Sequence, residues 1–211
     1  ETTFAAVLPA EKSFGDKVAF KVEARFDFTN YATKNLTINN FNFSNNLIQV
    51  APSLIYNSGE GMMLNAGIIP VWDNGNLIHM PNIFGEFQLK DKTFMLQAGW
   101  VGRVQKNTFR NLSVVNPYIA PMSNQNNTRE TELYGGIKAT IGKHFNFSAK
   151  AGYLRYRNFQ FFLNDTAGLA DGKSFIVSND RSVNNFRLHA DVSYINQDKF
   201  TLTGGVTFNG F

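Results

Sequence analysis

Apolar and polar residues alternate along most of this chain with a period of two. In the clearest segment every second residue from Val18 to Phe28 is apolar, and charged or polar residues fill most positions between them. This period is the pattern of a β-strand with two chemically different faces. The segment is longer than the mean strand of soluble proteins, about five or six residues. It matches the roughly 9 to 11 residues with which a tilted strand crosses a bilayer.

The same alternation recurs along the chain and predicts about nine strands. They lie at residues 18–29, 48–56, 62–72, 83–90, 94–105, 133–141, 145–153, 186–194 and 200–208. No stretch has the period of a long amphipathic helix. We therefore predict an all-β protein in which residues 1–211 form a single antiparallel domain or a fragment of one.

The connections between these strands follow a second regularity. Short connections are predicted at 57–61, 91–92, 142–143 and 196–199, with longer ones between them at 30–36, 73–80, 106–129 and 163–184. Outer-membrane barrels combine short periplasmic turns with long external loops in this way, whereas a soluble sandwich has no reason to do so. The alternation favours an up-and-down transmembrane β-barrel.

Composition narrows the possible functions. Charged residues make up 17% of the chain, and there is no cysteine. The lack of cysteine excludes disulfides, thiol catalysis and thiolate metal sites. No apolar run approaches the roughly 18 to 20 residues of a membrane helix. The net charge of +4 comes from scattered Lys and Arg residues, so nucleic-acid binding is not expected.

The period alone leaves two assignments of the faces open. In a soluble sandwich the apolar face is buried, whereas in a membrane barrel it meets lipid and the polar face lines the lumen. Aromatic residues near strand ends, such as Trp72, Trp100 and Tyr194, favour lipid, although core packing also explains them. The barrel assignment predicts a wet or plugged lumen, because a dry one would not solvate the charges. The predicted lumen-lining residues are Lys21, Glu23, Arg25, Asp27, Glu86, Arg103, Glu132, Lys138, Lys150, Arg187, His189 and Asp191.

Several segments resemble a known group of proteins. They are Asn-Leu-Ser-Val-Val-Asn-Pro-Tyr-Ile-Ala-Pro at 111–121, Thr-Glu-Leu-Tyr-Gly-Gly-Ile-Lys at 131–138, Lys-Ala-Gly-Tyr-Leu-Arg-Tyr at 150–156 and Leu-His-Ala-Asp-Val-Ser-Tyr at 188–194. Together they resemble the barrel portion of TonB-dependent-receptor-like outer-membrane proteins of the Bacteroidetes group. The resemblance implies a large outer-membrane barrel, with substrate uptake where a plug and a TonB box are present.

The chain departs from that pattern in three ways. No plug domain or TonB box is recognisable, and nine is an odd and small number of strands for such a barrel. Phe211 is a terminal aromatic residue, but Asn209, Thr207 and Gly205 on its face are not apolar. These departures predict an incomplete wall that belongs to a larger barrel.

A few residues are candidates for chemistry. His189, Asp191 and Ser193 share one strand face, but alternate residues are about 6.5 to 7 Å apart along a strand. A lipase-like triad would therefore need help from a neighbouring strand. His79 and His144 lack the surroundings of a metal site, and we expect no cofactor. Asp-Thr-Ala at 165–167 resembles an O-glycosylation site of the same bacterial group, with Thr166 as the acceptor; an ordinary Asx turn is the alternative.

Three functions remain open. The first is a TonB-receptor-like or porin-like barrel in the bacterial outer membrane, embedded in outer-membrane lipid, for passage or uptake of a small solute. The second is a barrel without transport whose external loops bind a glycan or a protein, such as a surface lipoprotein or another outer-membrane complex subunit. The long Asn-rich segment 106–129 is predicted to be a polar surface loop suited to such recognition. The third is a lipid-modifying enzyme centred on His189.

Overall fold

In the computed structural model, the described residues are 1–33, 41–89, 93–120, 125–142, 144–166, 173–196 and 199–211. They form twelve strands and one short helix. The strands are β1 (Thr2–Phe14), β2 (Val18–Thr33), β3 (Phe41–Asn57), β4 (Met62–Asp73), β5 (Asn76–Gln88), β6 (Phe94–Gln105), β7 (Thr128–Ile141), β8 (Phe145–Arg157), β9 (Phe159–Asn164), β10 (Phe175–Asp180), β11 (Val183–Asn196) and β12 (Phe200–Gly210), and the helix is α1 (Phe109–Val115).

Ten of the strands form one antiparallel sheet. Its order is β1-β2-β3-β4-β5-β6-β7-β8-β11-β12, so almost every strand pairs with its neighbours in the sequence. β9 and β10 form a separate hairpin that extends the connection between β8 and β11. Among the described strands, β1 pairs only with β2 and β12 only with β11, which leaves the sheet open at both edges. The architecture confirms the predicted all-β, antiparallel, up-and-down class.

The helix is short and belongs to the connection between β6 and β7. The Thr108 side chain accepts a hydrogen bond from the backbone N–H of Asn111 at 3.1 Å, which caps the first turn. Leu112 is its buried residue. Within the described part of the chain, no helix is long and apolar enough to cross a membrane.

The predicted number of strands was too low. Alternation does not predict β1, because its second face carries Ala5, Val7 and Pro9, and the contrast between the faces is weak. Pro9 is tolerated there because β1 is an edge strand in this sheet. β10 lies inside the long connection predicted at 163–184, and β9 lies mostly before it, in residues for which no element was predicted. Both strands have only six residues, too few for a clear period.

One predicted long connection, 73–80, is wrong. β4 ends at Asp73 and β5 begins at Asn76, so the connection is the two-residue turn Asn74-Gly75. Both residues have positive φ, 52° and 85°, as in the Asn-Gly turns that match the twist of a hairpin. The short connection after Asn57 is confirmed, since β4 begins at Met62. Those predicted at 91–92, 142–143 and 196–199 lie wholly or partly outside the described residues.

The structure decides which face of the sheet is covered. Large apolar side chains on one face stay exposed, including Leu133 at 61% and Leu202 at 68%. The registers place Phe20, Leu54, Leu64, Phe87, Leu96, Leu133, Phe186, Leu188, Leu202 and Phe208 on this face. Most side chains buried along the strands, Asp27 and Asn65 among them, lie instead on the opposite face. This is the inverse of a soluble sandwich and the arrangement of a wall in lipid.

The hydrophobic core is small and lies at the end of the sheet that carries the longer connections. Leu47, Val71, Met80 and Val104 form it, with Ile69 and Ile78 packed against them. Leu47, Val71 and Met80 come from the polar face of β3, β4 and β5, whereas Val104 lies on the apolar face of β6. β5 and β6 pair only between Asn82↔Val101 and Gln88↔Met95. Beyond that point β6 leaves β5 and packs across the polar face of the preceding strands.

Candidate functional site

The polar face of the sheet is the candidate site, because the charged residues named above converge on it. Strand registers put every one of them on the face opposite the exposed apolar side chains. They are Lys21, Glu23, Arg25 and Asp27 on β2, Glu86 on β5, Arg103 on β6, Glu132 and Lys138 on β7, Lys150 on β8, and Arg187, His189 and Asp191 on β11.

Opposite charges on this face are paired between strands. Lys138 Nζ lies 3.4 Å from Glu86 Oε1, and Arg103 Nη2 lies 2.9 Å from Glu130 Oε2. The Lys138–Glu86 pair is open to water and contributes little to stability, about 0 to 1 kcal/mol, whereas Glu130 of the other pair has a side chain that is only 8% exposed. Both pairs also affect the field above the sheet, where neither sign of charge dominates.

Lys150 is at the centre of the most closely packed polar group. Its Nζ atom lies 2.8 Å from Glu132 Oε1 and 3.9 Å from the centroid of the Tyr134 ring. A cavity of about 410 Å³ next to it is also lined by Arg187 and His189. Arg187 is held by hydrogen bonds from Nε to Asn209 Oδ1 (3.2 Å) and from Nη2 to the Tyr156 hydroxyl (3.1 Å). This cavity offers two cations and a histidine to a polar solute.

A second polar group lies at the end with the longer connections and is buried. Asn45 and Asn127, each 1% exposed, exchange two side-chain hydrogen bonds of 2.9 Å. Asn127 also donates to Asp73 Oδ1 at 2.7 Å and accepts from the backbone N–H of Asn107 at 3.1 Å. The prediction that the whole segment 106–129 is a polar surface loop is therefore wrong for Asn127, whose amide ties the loop to β3 and β4.

Lys106 joins the same end of the sheet to β2. Its ammonium group forms an ion pair with the Asp27 carboxylate and donates to the Asp27 carbonyl oxygen at 2.9 Å. The two side chains are only 7% and 10% exposed, so little water screens the pair. Asp27 was predicted to line a lumen; in this structure its partner is a residue of the connection between β6 and β7.

The structure does not assemble a serine triad. Ser193 Oγ lies 2.9 Å from Thr203 Oγ1, its hydrogen-bonding partner on β12. His189 uses Nδ1 for Thr207 Oγ1 at 2.8 Å, and its Nε2 lies 3.3 Å from Asp191 Oδ1. Both ring nitrogens are thus occupied by groups other than Ser193, and general-base activation of that hydroxyl has no geometric basis here.

The remaining candidates are separate from one another. The register puts His79 on the apolar face of the sheet. His144 Nδ1 lies 2.8 Å from the Ile195 carbonyl oxygen. Among the described residues, no group of three or more His, Asp or Glu side chains is suited to a metal ion. Thr166 is exposed, whereas Ala167 of the same motif lies outside the described residues; glycosylation of Thr166 stays a prediction.

Several residues of the polar groups were not predicted, and the reason differs between them. Tyr134 and Asn209 fall on the polar face of their strands by simple alternation, so the period would have found them. Asp73 is the last residue of β4, just beyond the predicted strand 62–72, and Lys106 follows the end of β6. Asn127 has no sequence signal that distinguishes it from its exposed neighbour Asn126.

Comparisons with known proteins give a clear result only at the level of structure. No protein-family model matches the chain, and no curated protein matches it. Solved structures that are similar include the siderophore receptor PirA from Pseudomonas aeruginosa (TM-score 0.69, 12% identity), the copper transporter OprC (0.65, 15%) and the FrpB iron transporter from Neisseria meningitidis (0.65, 12%). Each match covers 98% of this chain, but only 42%, 37% and 35% of those proteins, respectively.

At such low identity the similarity speaks for the fold and not for the cargo. It agrees with the exposed apolar face, the antiparallel order and the short turns at one end of the sheet. The chain shares the antiparallel β-barrel fold of these proteins and spans about two fifths or less of their length.

Proposed function

We propose that this chain forms part of the wall of a TonB-receptor-like or porin-like barrel that passes or takes up a small solute. The observation that supports this most is the division of side chains between the two faces. The apolar residues are exposed on one face, while the charged residues are collected and paired on the other. A wall between lipid and water accounts for both faces at once.

The barrel that we propose is larger than the described sheet. β1 and β12 each have one unpaired edge among the described strands. An unpaired backbone N–H or C=O group inside a bilayer costs several kcal/mol, so an open edge is not tolerated there. In the membrane both edges must therefore be paired, and we infer additional strands between β12 and β1.

Selection of the solute would rest on the polar face. Ion pairs such as Glu86–Lys138 and Glu132–Lys150 put both signs of charge side by side, which suits a polar or zwitterionic solute better than a simple ion of either sign. The cavity beside Lys150 is the place where a solute would contact Arg187 and His189. Charged side chains that leave bulk water need ordered water or further polar partners. We therefore expect the lumen to contain water.

The location we infer is the bacterial outer membrane, with outer-membrane lipid around the apolar face. The protein should be extracted from membranes only by detergent, and its migration on gels should change on heating. Purification as a monodisperse protein without detergent would contradict this.

Purified protein reconstituted into planar bilayers should conduct ions, or liposomes containing it should take up small solutes. A folded protein that does neither contradicts passage and favours the second function below.

Binding of a partner protein is the second candidate, and one observation favours it. Val114 and Val115 at the end of α1 are 80% and 73% exposed, and Tyr118 follows them on the same connection. A group of exposed apolar side chains is a candidate contact surface for another protein. If a surface lipoprotein or another outer-membrane subunit binds there, replacing Val114 and Val115 with serine should abolish co-purification of that partner without changing the heat-modifiable migration.

A further inference from the structure

The cavity beside Lys150 lies on the polar face between β8, β11 and β12. Two adjacent cross-strand rows supply most of its lining, Gly152–Arg187–Asn209 and Lys150–His189–Thr207. Its volume of about 410 Å³ is within the range of small-molecule sites, about 300 to 1,000 Å³. Gly152 leaves the space opposite Arg187 open, because it has no side chain; a Cβ atom there would lie only 2.7 Å from Glu132 Oε1. The cavity therefore has room for a small solute beside Arg187.

Arg187 is half-buried, and no carboxylate balances its charge. Its Nε donates to Asn209 Oδ1 at 3.2 Å and its Nη2 donates to the Tyr156 hydroxyl at 3.1 Å, so both acceptors are neutral. The Asn209 oxygen is held in place by Asn185, which donates to it at 3.1 Å. A guanidinium group has five N–H donors, so three stay without a partner within the described part of the chain. A charge that is partly removed from water in this way is costly unless an anion approaches it.

The two other arginines predicted to line the lumen differ from Arg187 in this respect. Arg25 Nη2 lies 3.9 Å from Asp27 Oδ2, and Arg103 Nη2 lies 2.9 Å from Glu130 Oε2. Arg187 has no ion pair with any described residue, although it lies on the same face of the sheet. Its fork is oriented by neutral groups and stays available to an external anion.

The other basic side chains of the cavity already have acidic neighbours. Lys150 Nζ lies 2.8 Å from Glu132 Oε1, and His189 Nε2 lies 3.3 Å from Asp191 Oδ1. The positive charge in excess is therefore located at Arg187. Around it, the lining offers a carboxylate, an ammonium group and the hydroxyl group of Thr207, which together can accept and donate hydrogen bonds.

We propose that this cavity binds a solute that carries a carboxylate and several hydroxyl groups, the chemistry of a sugar acid, and that Arg187 selects it. The guanidinium group matches the two carboxylate oxygens with parallel hydrogen bonds. Glu132, Lys150 and Thr207 would bind the hydroxyl groups, whereas an apolar acid would leave these side chains unpaired. The inference rests on the proposed function, in which the polar face lines a lumen that a solute enters.

The test measures equilibrium binding to the whole protein in detergent, by isothermal titration calorimetry, with three probes. D-glucuronate carries both the carboxylate and the hydroxyl groups, D-glucose lacks the carboxylate, and propionate lacks the hydroxyl groups. We expect glucuronate to bind at least tenfold more tightly than either of the other probes, because only glucuronate satisfies both parts of the cavity.

Two variants and a matched control locate the binding site. Arg187→Gln should weaken glucuronate binding at least tenfold and leave glucose binding unchanged, since only the charge-assisted bonds are lost. Arg181→Gln removes the same charge from the exposed connection between β10 and β11 and should bind glucuronate like the unmodified protein. Gly152→Ala keeps every charge but narrows the cavity, and it should weaken glucuronate binding severalfold. This second variant decides the matter if Arg187→Gln does not fold, as judged by heat-modifiable migration.

The opposite results overturn the proposal. Unchanged glucuronate binding by folded Arg187→Gln would show that Arg187 does not select the solute. Equal affinity for glucose would show that the carboxylate is not recognised, and equal affinity for propionate would show that the hydroxyl groups are not. Absence of glucuronate binding to the folded, unmodified protein would remove the site altogether.

Bilayer conductance of the same samples reports on the proposed function separately. A barrel that conducts ions but does not bind glucuronate retains the function and contradicts this site. A folded protein that binds glucuronate through Arg187 without conducting ions or taking up solutes supports the site and contradicts passage.

Discussion

Asn45 and Asn127 exchange a reciprocal pair of side-chain hydrogen bonds, each 2.9 Å long, although 82 positions separate them in the sequence. This pair connects β3 to the segment that precedes β7. Together with Asp73 and Asn107 it holds the connection between β6 and β7 against the end of the sheet. The end of the sheet that carries the longer connections is therefore a small packed unit of its own.

Loss of this amide pair should loosen the loop end. Asn127→Ala would leave the amide of Asn45 and the carboxylate of Asp73 buried without that partner, at a cost of about 1 to 3 kcal/mol. The barrel should therefore unfold at a lower temperature, measured as the heating temperature at which the band of the folded protein on a gel is replaced by that of the unfolded protein. Asn126→Ala is the control, because the Asn126 side chain is exposed and, among the described residues, Asn126 accepts hydrogen bonds from Asn107 and Gln160 through its backbone carbonyl. A similar effect of both substitutions would contradict a specific role for Asn127.

The Lys106–Asp27 ion pair should be stabilising only as a pair. Removing one partner of a buried ion pair costs about 3 to 5 kcal/mol, whereas replacing both with apolar residues is often neutral. Lys106→Met should therefore lower the unfolding temperature, and Lys106→Met/Asp27→Leu should restore much of it. Lys21→Met is the control: it removes a lysine from the same face of β2 as Asp27 and should have little effect on the unfolding temperature. If the double variant is less stable than Lys106→Met alone, the account of this pair is wrong.

Substitutions at two neighbouring residues of β11 test which face of the sheet meets lipid and which meets water. Leu188 lies on the apolar face and His189 on the polar face. An arginine facing the middle of the bilayer costs about 2 to 4 kcal/mol in a barrel, so Leu188→Arg should reduce the amount of heat-modifiable protein in the membrane. His189→Arg should insert normally. For a soluble protein the exposed Leu188→Arg change would be harmless, and that result would exclude the membrane assignment.

Charge on the polar face should set ion selectivity. Lys138→Glu changes the net charge by two units on the face that we assign to the lumen, so the reversal potential in a salt gradient should shift towards cation preference. Lys12→Glu makes the same change of charge on the apolar face of β1, close to the short turn that follows it, and should leave selectivity as it was. Equal shifts for both variants would mean that the polar face does not line the conducting path.

Much of the fold followed from local pattern. Side chains on a strand point alternately to its two faces, so the sequence alone assigns Lys150, Glu132 and their charged neighbours to one face. The Asn74-Gly75 turn was also readable from its sequence, and its prediction as a long connection ignored a strong hairpin signal. β1 was hidden because apolar residues occupy both of its faces.

Other features were decided only when distant strands met. Alternation does not determine which face of the sheet is covered, because strands of a soluble sandwich and of a membrane wall have the same period. The exposure of Leu133 and Leu202 in the folded sheet shows that the apolar face is the uncovered one. The burial of Asn127 depends on Asn45, which is far away in the sequence. β6 leaves β5 beyond Val101, and no local pattern encodes where two strands part. The sequence by itself determined the strands and their two faces, since these depend on neighbouring residues; the tertiary structure decided what each face meets, since that depends on contacts between distant residues.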